Sequence, residues 1–118
     1  MSVKSYKDLN IWQRSMDMVE LIYRITEDFP SKENFGLISQ MRRAAVSIPS
    51  NIAEGYGRQS TGSYSQFLSI ARGSLFELET QLEICIRLKY LPKTESERLL
   101  AEIIEICKMI SSLISKLH

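Results

Sequence analysis

Residues 40–58 read Gln-Met-Arg-Arg-Ala-Ala-Val-Ser-Ile-Pro-Ser-Asn-Ile-Ala-Glu-Gly-Tyr-Gly-Arg, and the fold turns on how this stretch is built. On a helix, Arg43, Ser47, Asn51, Glu54 and Arg58 follow at steps of four, four, three and four, which stacks them along one face. Ala45, Ile48 and Ile52 form a separate apolar line. A helix with such a polar file is building an interface, a binding surface or a buried network. Pro49 stands in the middle, where it removes one backbone donor and pushes away the carbonyl of Ala45. Two short helices or one kinked helix would both satisfy it. The apolar phase of Ala45, Ile48 and Ile52 continues straight through the proline, so one helix kinked at Pro49 is the expectation. Ser47 and Ser50 can offer hydroxyls to the disturbed backbone.

Working outward, Trp12, Met16, Val19 and Tyr23 keep helical spacing, with Ile22, Ile25 and Phe29 beside them. The first helix is expected from an Asp8 cap to Asp28, ended by Pro30. Ser31 is expected to cap the second, with Glu33 in its first turn, and the helix then runs to Tyr56-Gly57. Gly55, Gly57 and the run Gln59–Gly62 read as a turn. Ser63 with Gln66 resembles a capping box for the third helix, with Ser60 or Thr61 as alternative caps. That helix carries Phe67, Ile70, Ala71, Leu75, Leu78, Leu82 and Cys85 inward, with Glu79, Glu83 and Arg87 on its outer side. Gly73 in mid-helix costs about 1 kcal/mol against alanine, so close approach of another backbone, that of Ala44-Ala45, is expected there. Thr94-Glu95-Ser96-Glu97 reads as a capping box for the fourth helix. The apolar positions of that helix, from Leu113 round to Ile104, cover about half its circumference. One bundle core needs less, so the surplus points to burial against a second chain. Four helices with short connections imply an all-α, antiparallel up-down-up-down four-helix bundle, a single domain over residues 1–118.

The composition, 44% apolar and 25% charged, is that of a globular chain, and five Gly and three Pro are few for an all-β fold. A net charge of +1 gives no global field to recruit nucleic acid or membrane. Residues 31–60, however, carry four positive and two negative charges, so any basic patch is local to the second helix. No apolar run is long enough to span a membrane, and Met1–Asp8 lacks the apolar core of a signal peptide, so the expected location is the cytoplasm. Cys85 and Cys107 show no metal or redox spacing. Across an antiparallel pair turning near Pro92 they stand ~12 Å out of register, so two reduced thiols are expected.

The pattern Gln-x-Arg-Arg-Ala-Ala-x-Ser-Ile-Pro-x-Asn-Ile-Ala-Glu-Gly-x-Gly-Arg resembles the signature of the bacterial four-helix-bundle family named after 23S rRNA intervening sequences. Asp8-Leu9 with Trp12, Phe29-Pro30 with Glu33 and Phe35-Gly36-Leu37, the stretch Phe67–Thr80, and Tyr90-Leu91 are similar to its other landmarks. The resemblance implies a small antiparallel bundle that assembles as a pentamer. It also implies a likeness to accessory proteins of diversity-generating retroelements, which bind nucleic acid and a reverse transcriptase through a basic surface. No catalytic activity is attached to the family.

The residues themselves offer little chemistry. His118, the only histidine, is the last residue and is expected to fray. No Glu-x-x-His pair is present, so no di-iron site is expected, and neither a metal nor a cofactor is implied. Gly55-Tyr56-Gly57 follows a helix and is a helix stop, not a phosphate loop. No catalytic residue is assigned. Two binding roles remain. Arg42, Arg43, Arg58, Arg72, Arg87 and Lys89 are the candidates for contact with RNA or DNA, since guanidinium forks suit phosphate and an oligomer would repeat any patch. Tyr56 and Tyr64 are the only aromatic side chains near these arginines for stacking. The second role is a protein-interaction scaffold or adaptor ring without nucleic acid. Ser47, Pro49, Ser50, Asn51, Glu54 and Gly73 then form a structural or interface network. The ordinary reading of Arg43, Glu54 and Arg58 is a salt-bridged set. Asn51 either caps the backbone opened by Pro49 or bonds across a subunit boundary and fixes register.

Overall fold

The computed structural model describes residues 4–118. Met1–Val3, the first residues of the Met1–Asp8 stretch read for a signal peptide, lie outside the described residues. Four long helices carry the fold: α1 (Asn10–Glu27), α2 (Leu37–Tyr56), α3 (Thr61–Arg87) and α4 (Lys93–Lys116). Short 3-10 turns at Tyr6–Asp8 and Ser31–Glu33 precede α1 and α2, and the described residues hold no strand.

Each helix packs on its sequence neighbours, and α4 closes the square against α1. The α2–α3 contact is the most extensive and the α1–α4 contact the thinnest. Met41 meets Cys85, Ser47 meets Ser74 and Gly55 meets Phe67, so positions rise along α2 as they fall along α3. Ser65 meets His118 and Arg72 meets Ser111 across α3 and α4. The core is a column of aliphatic side chains, with Ile22, Met41, Ile48, Leu75 and Ile106 fully buried.

Pro49 lies inside α2, which is one uninterrupted helix rather than two. Ser50 Oγ donates to the Val46 carbonyl at 2.7 Å, and Asn51 Nδ2 donates to the Ser47 carbonyl at 2.8 Å. These side-chain bonds lie on the turns flanking the proline, where the ladder has lost a donor.

Several local expectations are corrected. The buried stripe of α1 is Ile11, Ser15, Met18, Ile22 and Thr26, whereas Met16 and Tyr23 are exposed. The line through Trp12 and Val19 lies on the shoulder of the helix, because Ser15 and Thr26 hide their hydroxyls on the Ile11 and Ile22 carbonyls and pass as core residues. Asp8 does not cap α1; it lies in the preceding 3-10 turn, and Leu9 holds the cap position. Ser31 opens a 3-10 turn, and α2 starts only at Leu37. Glu33 still serves the α2 start: its Oε1 accepts from the Leu37 amide at 3.4 Å, and its Oε2 accepts from the Tyr90 hydroxyl at 2.8 Å. Of the three possible α3 caps, Ser60 is used, its Oγ accepting from the Ser63 amide at 3.1 Å. The Thr94–Glu97 run lies inside α4, which begins behind Pro92, and the Ser96 hydroxyl donates back to the Pro92 carbonyl. Pro92 holds the cap position in an extended conformation (φ −59°, ψ 144°) and offers no side-chain cap.

Gly73 is corrected most sharply. A Cβ there would meet nothing within 4 Å, so no backbone of this chain approaches it. The close approach is at Gly55, where a Cβ would lie 2.7 Å from Phe67 Cβ and 3.1 Å from a Tyr64 ring carbon. The expected turn glycine is therefore the packing glycine.

Candidate functional site

The polar file of α2 divides into three parts. Ser47 and Asn51 are half-buried against α3: the Ser47 and Ser74 hydroxyls share a 2.8 Å hydrogen bond, and Asn51 Nδ2 also donates to Ser47 Oγ at 2.9 Å. Small side chains at Ala44, Ala45, Ser47, Ala71 and Ser74 let these two helices meet closely enough for hydroxyl to reach hydroxyl. Glu54 and Arg58 form an exposed pair at 2.9 Å, and the Arg58 guanidinium lies over the Phe67 ring, 4.7 Å from its centroid. Arg43 is exposed and joins neither set; it makes no ion pair or side-chain hydrogen bond among the described residues. It lies between two shallow surface grooves, one shared with Arg42 and Tyr23, the other with Ser74 and Glu77.

The six basic candidates are not gathered. Arg42 reaches back to α1, where Nε donates to Thr26 Oγ1 at 2.9 Å, Nη2 to the Tyr23 carbonyl at 3.3 Å, and the guanidinium stacks on the Tyr23 ring. Arg72 spans α3 and α4, donating to Ser111 Oγ at 3.1 Å. With Arg58, three of the six already hold partners within the chain. Arg87 and Lys89 are exposed at the far end of α3 from Arg58, and Lys89 takes a left-handed backbone conformation (φ 62°) as that helix ends. Tyr56 and Tyr64, both half-buried, pack edge to face on each other, 6.2 Å apart.

Chemistry is equally sparse. Cys85 is fully buried beside Met41, and burial pushes its thiol up to about 11, leaving it protonated at neutral pH. Cys107 is half-buried, its thiol also raised by burial, and neither cysteine is in a disulfide. Among the described residues, no three His, Cys, Asp or Glu side chains gather as a metal site requires, and no helix is long and apolar enough to cross a membrane. Exposed His118, expected to fray, has its Nε2 2.7 Å from the hydroxyl of buried Ser65.

Two features escaped the sequence. One is a latch across α1 and α4, where Arg14 Nε and Nη2 donate to the two Glu102 oxygens at 2.8 Å each and Nη1 approaches Met109 Sδ at 3.2 Å. This fork raises the Arg14 pKa further above its ordinary value. Its partners are 88 residues apart, and no local spacing announces it. The other is the outer surface of α3, where Ile70, Phe76, Ile84 and Leu88 are each 40–52% exposed. Ile70, expected to face inward, is on the surface. Three of the four lie with open Gly73 on one side of the helix. The spacing of Ile70, Gly73, Ile84 and Leu88 was there to be read.

The profile of the family described as 23S rRNA-intervening sequence protein matches residues 7–112. One solved structure, a protein of unknown function from the S23 ribosomal protein family of Bacteroides thetaiotaomicron, is 26% identical. The match covers 89% of this chain and 95% of that one, with a TM-score of 0.82. No match was found among proteins of curated function. The chain belongs to the 23S rRNA-intervening sequence protein family.

Proposed function

We propose that this member of the 23S rRNA-intervening sequence protein family is a non-enzymatic assembly module: a homo-oligomer, a pentameric ring as the family resemblance implies, that works as a scaffold for other macromolecules. The observation that carries the proposal is the outer face of α3. Four large apolar side chains are exposed on this helix, three of them along one side, with Ile104 exposed on neighbouring α4; apolar surface gathered on one face is what an interface uses. Fully exposed Phe35, on the loop before α2, adds an aromatic anchor of the kind protein partners use. The scarcity of reactive groups supports a role in binding rather than turnover.

The test is molar mass in solution across a concentration series. Self-association that Ile84→Asp together with Leu88→Asp abolishes, with helix content retained, supports the proposal. A wild-type chain that stays monomeric at high concentration overturns it.

A second reading, binding of RNA or DNA through phosphates, draws on Arg43, Arg87 and Lys89, which are exposed and hold no ion pair among the described residues. In a ring these cations would repeat around the axis. Affinity of that origin falls steeply with salt, with a slope set by the number of phosphates neutralised. Binding that persists unchanged in high salt, or in Arg43→Glu, removes this reading.

A further inference from the structure

The exposed face of α3 and the thin α1–α4 seam are complementary surfaces. On the seam, the Arg14–Glu102 latch crosses between two grooves. One, about 580 Å³, has an apolar floor that includes Met18, Leu21, Ile25 and Leu99. Apart from the latch itself, its rim sets three carboxylates, Asp17, Glu95 and Glu105, against the single guanidinium of Arg98. The other, about 400 Å³, lies over Ile11, Met109 and Leu113 and is rimmed by Lys108 and Lys116 with no carboxylate. The seam is thus an apolar trough, acidic toward the start of α4 and basic toward its end.

The outer face of α3 carries the opposite polarity. Leu88 is flanked by Arg87 and Lys89 at one end, Glu77 lies further back, and Ile70, Gly73 and Ile84 supply the apolar stripe. Resting on the reading that the chain self-assembles, we infer that the α3 stripe of one copy lies in the α1–α4 trough of the next. The registers agree. With Leu88 seated over Leu99 and Ile25, Arg87 and Lys89 meet the acidic rim, and Glu77, ~16 Å back along α3, comes level with Lys108, ~14 Å beyond Leu99 along α4. Open Gly73 lets the neighbouring backbone come close. An amphipathic helix laid in an apolar groove between helices is a familiar mode of recognition.

In this arrangement the two faces differ, so the contact is heterologous. It propagates head to tail and forms a ring when the rotation per subunit closes. Arg87 and Lys89 are then engaged in assembly, which leaves Arg43, of the six candidate cations, without a partner among the described residues.

The test is charge reversal on each side, read by sedimentation mass, with circular dichroism as the folding control; all the residues changed are exposed. Arg87→Glu with Lys89→Glu reduces the oligomer to single chains. Glu95→Lys with Glu105→Lys does the same. All four changes in one chain restore the oligomer, because the polarity is reversed on both faces. If either pair leaves the wild-type mass unchanged, or the fourfold variant stays monomeric, the assignment of these two faces is overturned while self-assembly stands. A monomeric wild type overturns self-assembly itself.

Discussion

The α2–α3 seam and the α1–α4 seam join helices of similar length, yet they are filled in different ways. Between α2 and α3 the side chains are small, the hydroxyls of Ser47 and Ser74 touch, and Gly55 lets Phe67 and Tyr64 come within contact distance of the backbone. Between α1 and α4 a bidentate ion pair holds two helices across open grooves on either side. A seam closed by small residues is finished within one chain. A seam held by a latch has room for a second one.

The largest expected effect lies in the closed seam. Gly55→Ala places a Cβ 2.7 Å from Phe67 Cβ, an atom tied to the α3 backbone that cannot swing aside. Overpacking of this kind costs about 1–3 kcal/mol, to be read from the denaturant midpoint. An unchanged midpoint would mean that the seam is looser than described. Cys85 faces the same seam, and its thiol is raised from an ordinary value of 9 to about 11 by burial. A raised pKa means the folded state holds the proton more tightly than the unfolded one. Its contribution is therefore complete below pH 9 and disappears as pH climbs through 11, a loss of about 3 kcal/mol at the alkaline end. Cys85→Ala, although less stable at neutral pH, should show a flatter profile over that window. An identical slope in both proteins would locate the alkaline sensitivity elsewhere.

The open seam responds more weakly. Arg14→Gln removes an ion pair whose two side chains are about one-third exposed, so solvent screening limits the loss to about 0.5–1 kcal/mol in the dissociated chain. A loss as large as that of Gly55→Ala would contradict the contrast between the seams. Gly73→Ala should have an effect of similar size and the opposite sign: a gain of about 0.5–1 kcal/mol in the single chain, where the new methyl meets nothing. The same substitution should weaken self-association, because Gly73 lies on the α3 stripe.

How much of this could be read in the sequence follows from the range of the forces involved. Helical periodicity, Pro30, Pro92 and the turn around Gly57–Gly62 fix the four helices, because each acts within a few residues. The continuity of α2 through Pro49 was legible in the phase of Ala45, Ile48 and Ile52. Caps were legible only in part, since Ser31 and the Thr94–Glu97 run have the right chemistry but the chain turns a few residues away from them. The roles of Gly55 and Gly73 were exchanged because what a glycine accommodates depends on the neighbour across the seam. Arg14–Glu102 and Glu33–Tyr90 depend on tertiary register and leave no local trace. The basic candidates were visible as residue types, but their dispersal over both ends of the bundle and onto internal partners was not.

The most direct test of the contrast is hydroxyl-radical footprinting of the wild-type protein at low and high concentration. Leu21 in the α1–α4 trough and Ile84 and Leu88 on the α3 stripe should lose reactivity together as the mass rises, while Phe35 stays reactive. If these three side chains remain fully reactive in the assembled protein, the open seam is not where the next copy binds, and the account fails at its centre.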